Sequence, residues 1–136
     1  IAIALAADLP GASVHLVEPV GFDDHALSLA AGMRVAVDRT SGSICDALFS
    51  HMPGELTFAV NRRLVGGAYA VTDEAVLAAM RVAFEDLRLV VEPGGAAGLA
   101  ALLGGMVPGN GPVVVVLSGG NVDPALYAQA IGASAS

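Results

Sequence analysis

The sequence predicts an α/β fold, an open and mostly parallel sheet with helices on both faces. Short apolar runs alternate with segments of helical periodicity along all 136 residues, and this alternation is typical of parallel sheets. Residues 113–117 are four valines and a leucine, as expected of a parallel strand buried on both faces. The strand would end in a Ser-Gly-Gly-Asn turn, and open α/β sheets bind ligands at such carboxyl ends.

The first half of the chain is predicted to alternate helices with short strands. Pro10 and Gly11 end the first helix, and the carboxylates of Asp23 and Asp24 favour the positive end of the second. The expected segments are helix 1–8, strand 14–17, helix 23–31, an irregular segment 34–42 with a short strand at 35–37, helix 43–49 and helix 55–64.

The second half contains the helix with the clearest beginning. Thr72 is an N-cap residue, and Asp73 and Glu74 follow it in the first turn. Apolar residues at positions 76, 80, 83 and 87 continue this helix at helical spacing. The other expected segments are strand 68–71, preceded by two glycines, helix 95–103, strand 113–117 and helix 123–131.

Composition and charge limit the partners. Hydrophobic residues make up 55% of the chain and charged residues 14%, so we expect part of the apolar surface to be covered, and a homodimer is favoured. A net charge of −7 argues against nucleic acid, because few side chains could neutralise phosphates. No unbroken apolar run reaches about 18 residues, so no membrane span is predicted. The single cysteine fits a reducing cytoplasm.

The chain contains no lysine, because all six basic residues are arginines. Chemistry that requires a lysine amine, such as a Schiff base, therefore cannot be completed within these residues. Residues 1–7 read as the body of a helix without a cap or polar lead-in. We therefore expect the chain to be a fragment of a longer protein.

Three motifs follow one another along the chain. They are Val17-Glu18-Pro19 with Phe22-Asp23-Asp24, then Val91-Glu92-Pro93-Gly94-Gly95-Ala96, then Leu117-Ser118-Gly119-Gly120-Asn121-Val122-Asp123. In order and spacing they resemble those of the C-terminal part of the threonine/serine dehydratases, over essentially all of residues 1–136. These are tryptophan-synthase-β-like, fold type II enzymes that use pyridoxal phosphate, and the serine racemases are their relatives.

The resemblance implies that residues 1–136 form the C-terminal half of the large, pyridoxal-phosphate-binding catalytic domain. The N-terminal half of the same fold is then a partner of this chain, and it holds the Schiff-base lysine and a glycine-rich loop for the cofactor phosphate. No catalytic residue is assigned to these 136 residues, and we expect the piece alone to be inactive. The implied substrate is a small amino acid.

Four residues are implied to contact the cofactor. The motif serine of the resembling enzymes hydrogen-bonds the pyridine nitrogen, which assigns this role to Ser118, and Gly119 keeps the turn tight. The alternative for Ser118 is the cap of the following helix. Ala47 stands where the family more often has glycine against the cofactor ring, so its methyl group narrows the pocket. Glu92 precedes a proline at a strand end, where it either faces the pocket or caps the next helix.

A second group of residues is implied to hold a divalent metal. Family members use the spacing of Glu18, Phe22 and Asp24 for a cation, with only the carbonyl of the middle residue contributing. Two carboxylates that flank a carbonyl suit Mg²⁺ or Ca²⁺. The alternative is that Asp23 and Asp24 merely cap a helix while Glu18 is solvated.

The remaining reactive residue types receive no chemistry. His15, His25 and His51 show neither metal nor triad spacing. Cys45 is interpreted as a small buried residue rather than a nucleophile.

The implied activity is that of a dehydratase, or ammonia-lyase. It would convert a β-hydroxy amino acid such as serine, threonine or 3-hydroxyaspartate into a 2-oxo acid and ammonia. An amino-acid racemase of the same family is the nearest alternative. The alternative from another class is a non-catalytic domain that binds a small molecule or a subunit.

Overall fold

The computed structural model describes residues 1–38, 41–109 and 111–132. At its centre lies a parallel pair of strands, β1 (Val14–Pro19) and β2 (Val65–Val71). After one irregularity near Val14, the pairing runs in register from His15 opposite Gly67 to Pro19 opposite Val71. Both strands therefore end at the same edge, from which their following segments emerge.

The described part of the chain contains six α-helices, and all six were predicted. The longest has 13 residues, and no helix there is both long and apolar enough to cross a membrane. The helices are α1 (Ala2–Asp8), α2 (Asp24–Ala31), α3 (Glu55–Leu64), α4 (Asp73–Glu85), α5 (Pro93–Leu103) and α6 (Pro124–Ile131).

Helices cover both faces of the strand pair. The Glu18 carboxylate accepts hydrogen bonds from the first turn of α2, whereas Val17 packs against the buried cluster formed mainly by α4 and α5. Neighbouring residues of a strand point to opposite faces. The predicted α/β class, with parallel strands between helices, is therefore confirmed.

The core lies between α4, α5 and the end of β2. Small residues on α5 let the neighbouring segments pack closely against this helix. At Gly98 there is little room for a side chain, because an added methyl group would lie only 3.2 Å from Val115 Cγ1. Arg81 ties α4 to α6, because its Nε donates a hydrogen bond to the Ala130 carbonyl at 3.0 Å. The buried members from these helices are Val76, Ala79, Met80, Ala83, Ala96, Ala97, Leu99, Ala100, Ala101 and Ala130.

The predicted helix at residues 43–49 is wrong in extent. Only one 3₁₀ turn, Asp46–Leu48, forms there. The Ser43 hydroxyl and the Ile44 N–H instead donate to the Asp73 carboxylate at 2.7 and 3.1 Å. The Asp73 carboxylate, about 30 residues away, therefore takes the hydrogen-bond donors at the start of this segment, and this competes with a longer helix.

The prediction of a fully buried parallel strand at residues 113–117 is also wrong. No described strand pairs with this segment, and Val114 and Val116 are 90% and 62% exposed. Only Val115 and Leu117 pack against the core, so the segment covers α5 with one face. An apolar run becomes a buried strand only where another strand pairs with it.

The short strand expected at residues 35–37 does not form in the described structure. The Val37 N–H donates instead to the His51 carbonyl at 2.8 Å. Residues 39 and 40 of the expected irregular segment lie outside the described residues.

Candidate functional site

The turn after residues 113–117 is held against the N-terminus of α5 by one residue. Glu92, the N-cap position of α5, donates its N–H to the Gly119 carbonyl at 3.2 Å. Its carboxylate accepts the N–H of Asn121 at 3.1 Å. The predicted helix cap by the Glu92 side chain is absent, because that carboxylate is used to fix the turn.

Two glycines permit this close approach. A methyl group at Gly95 would overlap the Ser118 carbonyl, and one at Gly119 would overlap the Glu92 carboxylate. Gly119 also has a φ of +76°, a left-handed conformation that favours glycine. Backbone contact therefore sets the position of Ser118 relative to α5.

The Ser118 hydroxyl is exposed and makes no hydrogen bond within residues 1–38, 41–109 and 111–132. Asp123 caps the next helix instead, since its Oδ1 accepts the N–H groups of Ala125 and Leu126 at 2.8 and 3.0 Å. The cap interpretation of Ser118 is therefore wrong. Its hydroxyl remains available to a ligand.

Ala47 lies at the same helix end. A methyl group at Gly94 would be 3.4 Å from Ala47 Cβ, so the 3₁₀ turn packs against the first turn of α5. Asp73 anchors this segment through Ser43 and Ile44, a role that the sequence did not indicate. The structure thus brings all four predicted cofactor contacts together around the N-terminus of α5.

Cys45 precedes this 3₁₀ turn and is fully buried. Burial is the main reason why the pKa of its thiol is raised to about 11, while a hydrogen bond from Ser43 opposes the shift and the charges of Asp73 and Asp46 add to it. At neutral pH the thiol is protonated. This agrees with the interpretation of Cys45 as a packing residue.

A second cluster of polar side chains joins the end of β1 to the start of α2. Glu18 Oε1 accepts the His25 N–H at 3.2 Å, and Glu18 Oε2 accepts the Ala26 N–H at 3.1 Å. Asp24 is fully buried. Its Oδ2 accepts the Ser50 hydroxyl at 3.2 Å, whereas its Oδ1 has no hydrogen-bond partner among the described residues.

The alternative in which two aspartates cap α2 and Glu18 is solvated does not describe this cluster. Asp23 makes no side-chain cap bond and accepts the Gly21 N–H at 3.1 Å. Glu18 is 9% exposed and itself satisfies the first N–H groups of the helix. Phe22 is buried and stacks on Phe49, with ring centroids 4.1 Å apart.

The surroundings of Glu18 act on the pKa of its carboxyl group in opposite directions, with a net increase. Burial is the largest effect and raises the pKa of its carboxyl group; the charge of Asp24 acts in the same direction. The N–H donors of Ala26 and His25 and the His25 ring act against the shift. Two carboxylates are therefore held together with little solvent to screen them.

His25, which received no chemistry from the sequence, belongs to this cluster. Its Nδ1 lies 3.0 Å from Glu18 Oε1 and 3.7 Å from Asp24 Oδ2. Glu18, Asp24 and His25 each offer one ligand atom within 4.8 Å of the others. The sequence did contain a signal for this role of His25. The residue directly follows Asp24 at the start of α2, and the preceding strand ends with Glu18 and Pro19, so these side chains share one strand-to-helix junction.

A family model described as "Pyridoxal-phosphate dependent enzyme" matches residues 1–119. The chain belongs to this family. The resemblance to fold type II enzymes and the assignment of pyridoxal phosphate as the cofactor are thereby confirmed. The turn at Ser118 fits such a group in one respect, because it offers an exposed hydroxyl with no protein partner in the described structure.

Two curated members of the family are similar over most of the chain. Serine racemase of Oryza sativa subsp. indica is 37% identical over 129 residues, which are 90% of this chain and 38% of that protein. L-threo-3-hydroxyaspartate ammonia-lyase of Saccharomyces cerevisiae is 35% identical over 123 residues, 90% of this chain and 37% of that protein. The chain thus spans under two fifths of the length of these relatives.

Solved structures of pyridoxal-phosphate enzymes have a similar fold. A threonine deaminase from T.th. aligns with a TM-score of 0.79 and 37% identity over 90% of this chain and 41% of its own. The processed form of threonine deaminase isoform 2 from Solanum lycopersicum has a TM-score of 0.85 and 26% identity over 98% of this chain and 39% of its own.

Proposed function

We propose that residues 1–136 are the C-terminal half of the catalytic domain of a dehydratase that acts on a β-hydroxy amino acid. The products are a 2-oxo acid and ammonia, and the substrates are of the serine, threonine or 3-hydroxyaspartate type. The observation that carries the proposal is the Ser118 hydroxyl, exposed and unpaired in the described structure, on a turn fixed to the N-terminus of α5. The N-terminal half of the fold supplies the lysine and the phosphate loop.

When bound, pyridoxal phosphate supplies the electron-withdrawing ring for chemistry at the substrate α-carbon. Ser118 holds a hydroxyl, which shares a hydrogen bond with a ring nitrogen without a formal charge on either partner. Ser118 would thus hold the ring nitrogen by a neutral hydrogen bond, and the bound group would supply a weaker electron sink than one paired with a carboxylate. This electron sink would suit elimination of a β-hydroxyl group.

The other three residues position or shape this site. Glu92 commits its carboxylate to the Asn121 N–H, and Gly119 lets the turn lie against it. We assign both to the cofactor-binding turn. The Ala47 methyl lies beside Gly94, where it narrows the space at the first turn of α5 and limits substrate size.

Glu18, the carbonyl of Phe22 and Asp24 are the proposed ligands of Mg²⁺ or Ca²⁺. The support is the fully buried Asp24 Oδ1, which lacks a hydrogen-bond partner among the described residues, next to a second carboxylate. A buried and unpaired carboxylate oxygen is costly unless a proton or a cation compensates it. The cation stabilises the junction between β1 and α2.

The protein is further proposed to be a cytoplasmic homodimer that binds neither nucleic acid nor membranes. The support is its acidic, lysine-free composition with one cysteine, and the exposure of large apolar side chains such as Ile1, Leu56 and Val114. Light scattering of the intact protein measures the oligomeric state.

Racemisation is the second candidate, because serine racemases of Oryza sativa and Arabidopsis thaliana are 36–37% identical over 90% of this chain. Incubation of the intact protein with L-serine, L-threonine and 3-hydroxyaspartate separates the two functions. We expect 2-oxo acid and ammonia without the opposite enantiomer in the remaining substrate. Accumulation of that enantiomer with little 2-oxo acid would instead identify a racemase.

Ser118→Ala and the matched Ser13→Ala test the proposed role of the hydroxyl. Ser13 is exposed directly before β1, so its loss should leave turnover unchanged. Ser118→Ala should lower kcat and alter the visible absorbance of the bound cofactor. Absence of any cofactor absorbance after pyridoxal phosphate is added to the intact protein would overturn the dehydratase proposal and favour a non-catalytic binding domain.

A further inference from the structure

The imidazole of His25 extends the carboxylate cluster at the β1–α2 junction. Its Nδ1 points to both acids, at 3.0 Å from Glu18 Oε1 and 3.7 Å from Asp24 Oδ2. The side chain is 22% exposed, so it is packed at the junction rather than free in solvent.

These spacings fit ligands of one small cation. An ion with ligands at about 2.1 Å places neighbouring ligand atoms about 3.0 Å apart and opposite ones about 4.2 Å apart in octahedral geometry. The Glu18–His25 separation corresponds to a neighbouring pair, and all three ligand atoms lie within 4.8 Å of one another. Side-chain adjustment is therefore sufficient to bring them to one ion.

The two buried carboxyl groups also favour a bound cation. Asp24 is fully buried with Oδ1 unpaired, and Glu18 is 9% exposed. Within residues 1–38, 41–109 and 111–132 neither arginine nor lysine pairs with these acids, because the ion pair of Arg34 is with Glu55. The His25 ring is the one basic side chain that lies within 4 Å of them in that part of the chain.

We propose that His25 Nδ1 is a direct ligand of the cation held by Glu18 and Asp24. This inference rests on the cation site of the proposed function and deepens it. An imidazole nitrogen suits Zn²⁺, Cu²⁺, Fe²⁺ and Ni²⁺, whereas carboxylate and carbonyl oxygens suit Mg²⁺, Ca²⁺ and Mn²⁺. A site with two carboxylates and one imidazole should therefore bind Zn²⁺, and also Mn²⁺ as the transition metal among the oxygen-preferring ions, more tightly than Mg²⁺ or Ca²⁺.

Pulsed electron paramagnetic resonance of Mn²⁺ added to the cation-stripped intact protein is a direct test, because it detects a nitrogen bound to the ion. The wild type should show one coupled nitrogen. His25→Asn, which offers an oxygen at similar reach, should bind Mn²⁺ without that coupling. Its preference for Mn²⁺ over Mg²⁺ should fall, with a loss of Mn²⁺ affinity on the order of the 10–100-fold that follows changes around a metal site.

His15→Asn is the matched control, because it removes an imidazole that hydrogen-bonds Tyr69 at 3.2 Å on the strand pair instead of the cluster. It should change neither the coupling nor the preference. Bound Mn²⁺ without nitrogen coupling in the wild type would overturn the role of His25 and leave the carboxylate site intact. Coupling that persists in His25→Asn would also overturn it.

Failure of the intact protein to bind Mn²⁺, Zn²⁺, Mg²⁺ or Ca²⁺ would overturn the cation site itself, and with it this inference. Formation of 2-oxo acid from hydroxy amino acids, measured on the same preparation, separates that result from failure of the proposed dehydratase function.

Discussion

The two candidate sites are built in opposite ways. Around the N-terminus of α5, backbone contacts of Gly95 and Gly119 hold an exposed Ser118 hydroxyl in place. At the β1–α2 junction, the buried side chains of Glu18 and Asp24 form the site themselves. The first site should thus be sensitive to added volume and the second to altered charge.

Gly95→Ala should have the largest effect, because its methyl group would overlap the Ser118 carbonyl. The turn must move, at a cost of about 1–3 kcal/mol in unfolding free energy, and we expect the intact protein to lose cofactor binding. Cofactor absorbance and thermal unfolding measure both effects. In the control Gly11→Ala, a methyl group meets nothing within 4 Å. Normal cofactor binding by Gly95→Ala would contradict the close approach.

Asp24→Asn tests the charge-based site without adding volume. We expect it to remove the stabilisation by a divalent cation, which is about 2.7 kcal/mol at one hundred times the dissociation constant. Asp23→Asn is the neighbouring control, since an amide oxygen can still accept the Gly21 N–H. Thermal unfolding with and without cation is the measurement. Equal cation stabilisation of Asp24→Asn and the wild type would argue against the site.

Asp73→Asn sharpens the comparison between the two sites, because it removes a charge beside the candidate cofactor site. An amide leaves one of the two donors, the Ser43 hydroxyl or the Ile44 N–H, without an acceptor. We expect a loss of about 1.5 kcal/mol with unchanged cation binding, as measured by chemical denaturation. Glu74→Gln removes an exposed charge from the same first turn, where the pKa of Glu74 is lowered by hydrogen bonds, and should cost less unfolding free energy than Asp73→Asn. A cation affinity that falls with Asp73→Asn would show that the two sites are coupled.

Cys45, beside the candidate cofactor site, gives the smallest expected effect, a dependence of the unfolding free energy on pH. Since burial raises the pKa of its thiol to about 11 in the folded protein, ionisation favours the unfolded state. Its contribution to stability is complete below the unfolded pKa of about 8.5 and declines as the pH rises through about 11. Denaturation at pH 8 to 11 should therefore show a steeper decline for the wild type than for Cys45→Ala. Equal slopes would contradict the shift.

Local signals explain which elements were predictable from the sequence. Helix α4 begins at Thr72, whose hydroxyl accepts the Ala75 N–H at 3.3 Å as its position in the sequence indicates. Its apolar spacing is equally local. The motifs around Glu18, Glu92 and Ser118 were recognised for the same reason, because each is contiguous in the sequence.

The errors concern partners that are distant in sequence. Residues 113–117 have the composition of a buried strand, yet strand pairing depends on a neighbour that the apolar pattern does not specify. Residues 43–49 lose their helix to Asp73, about 30 residues away. His25 was missed because its approach to Glu18 depends on how α2 packs beside the end of β1.

Nitrogen-15 nuclear magnetic resonance of ring-labelled pyridoxal phosphate in the intact protein tests the role of Ser118 most directly. The chemical shift of the ring nitrogen reports whether it is protonated and what it is bonded to. We expect an unprotonated, hydrogen-bonded nitrogen in the wild type, a changed shift in Ser118→Ala, and the wild-type shift in Ser13→Ala. A protonated nitrogen in the wild type, or a shift unaffected by Ser118→Ala, would contradict the proposed contact.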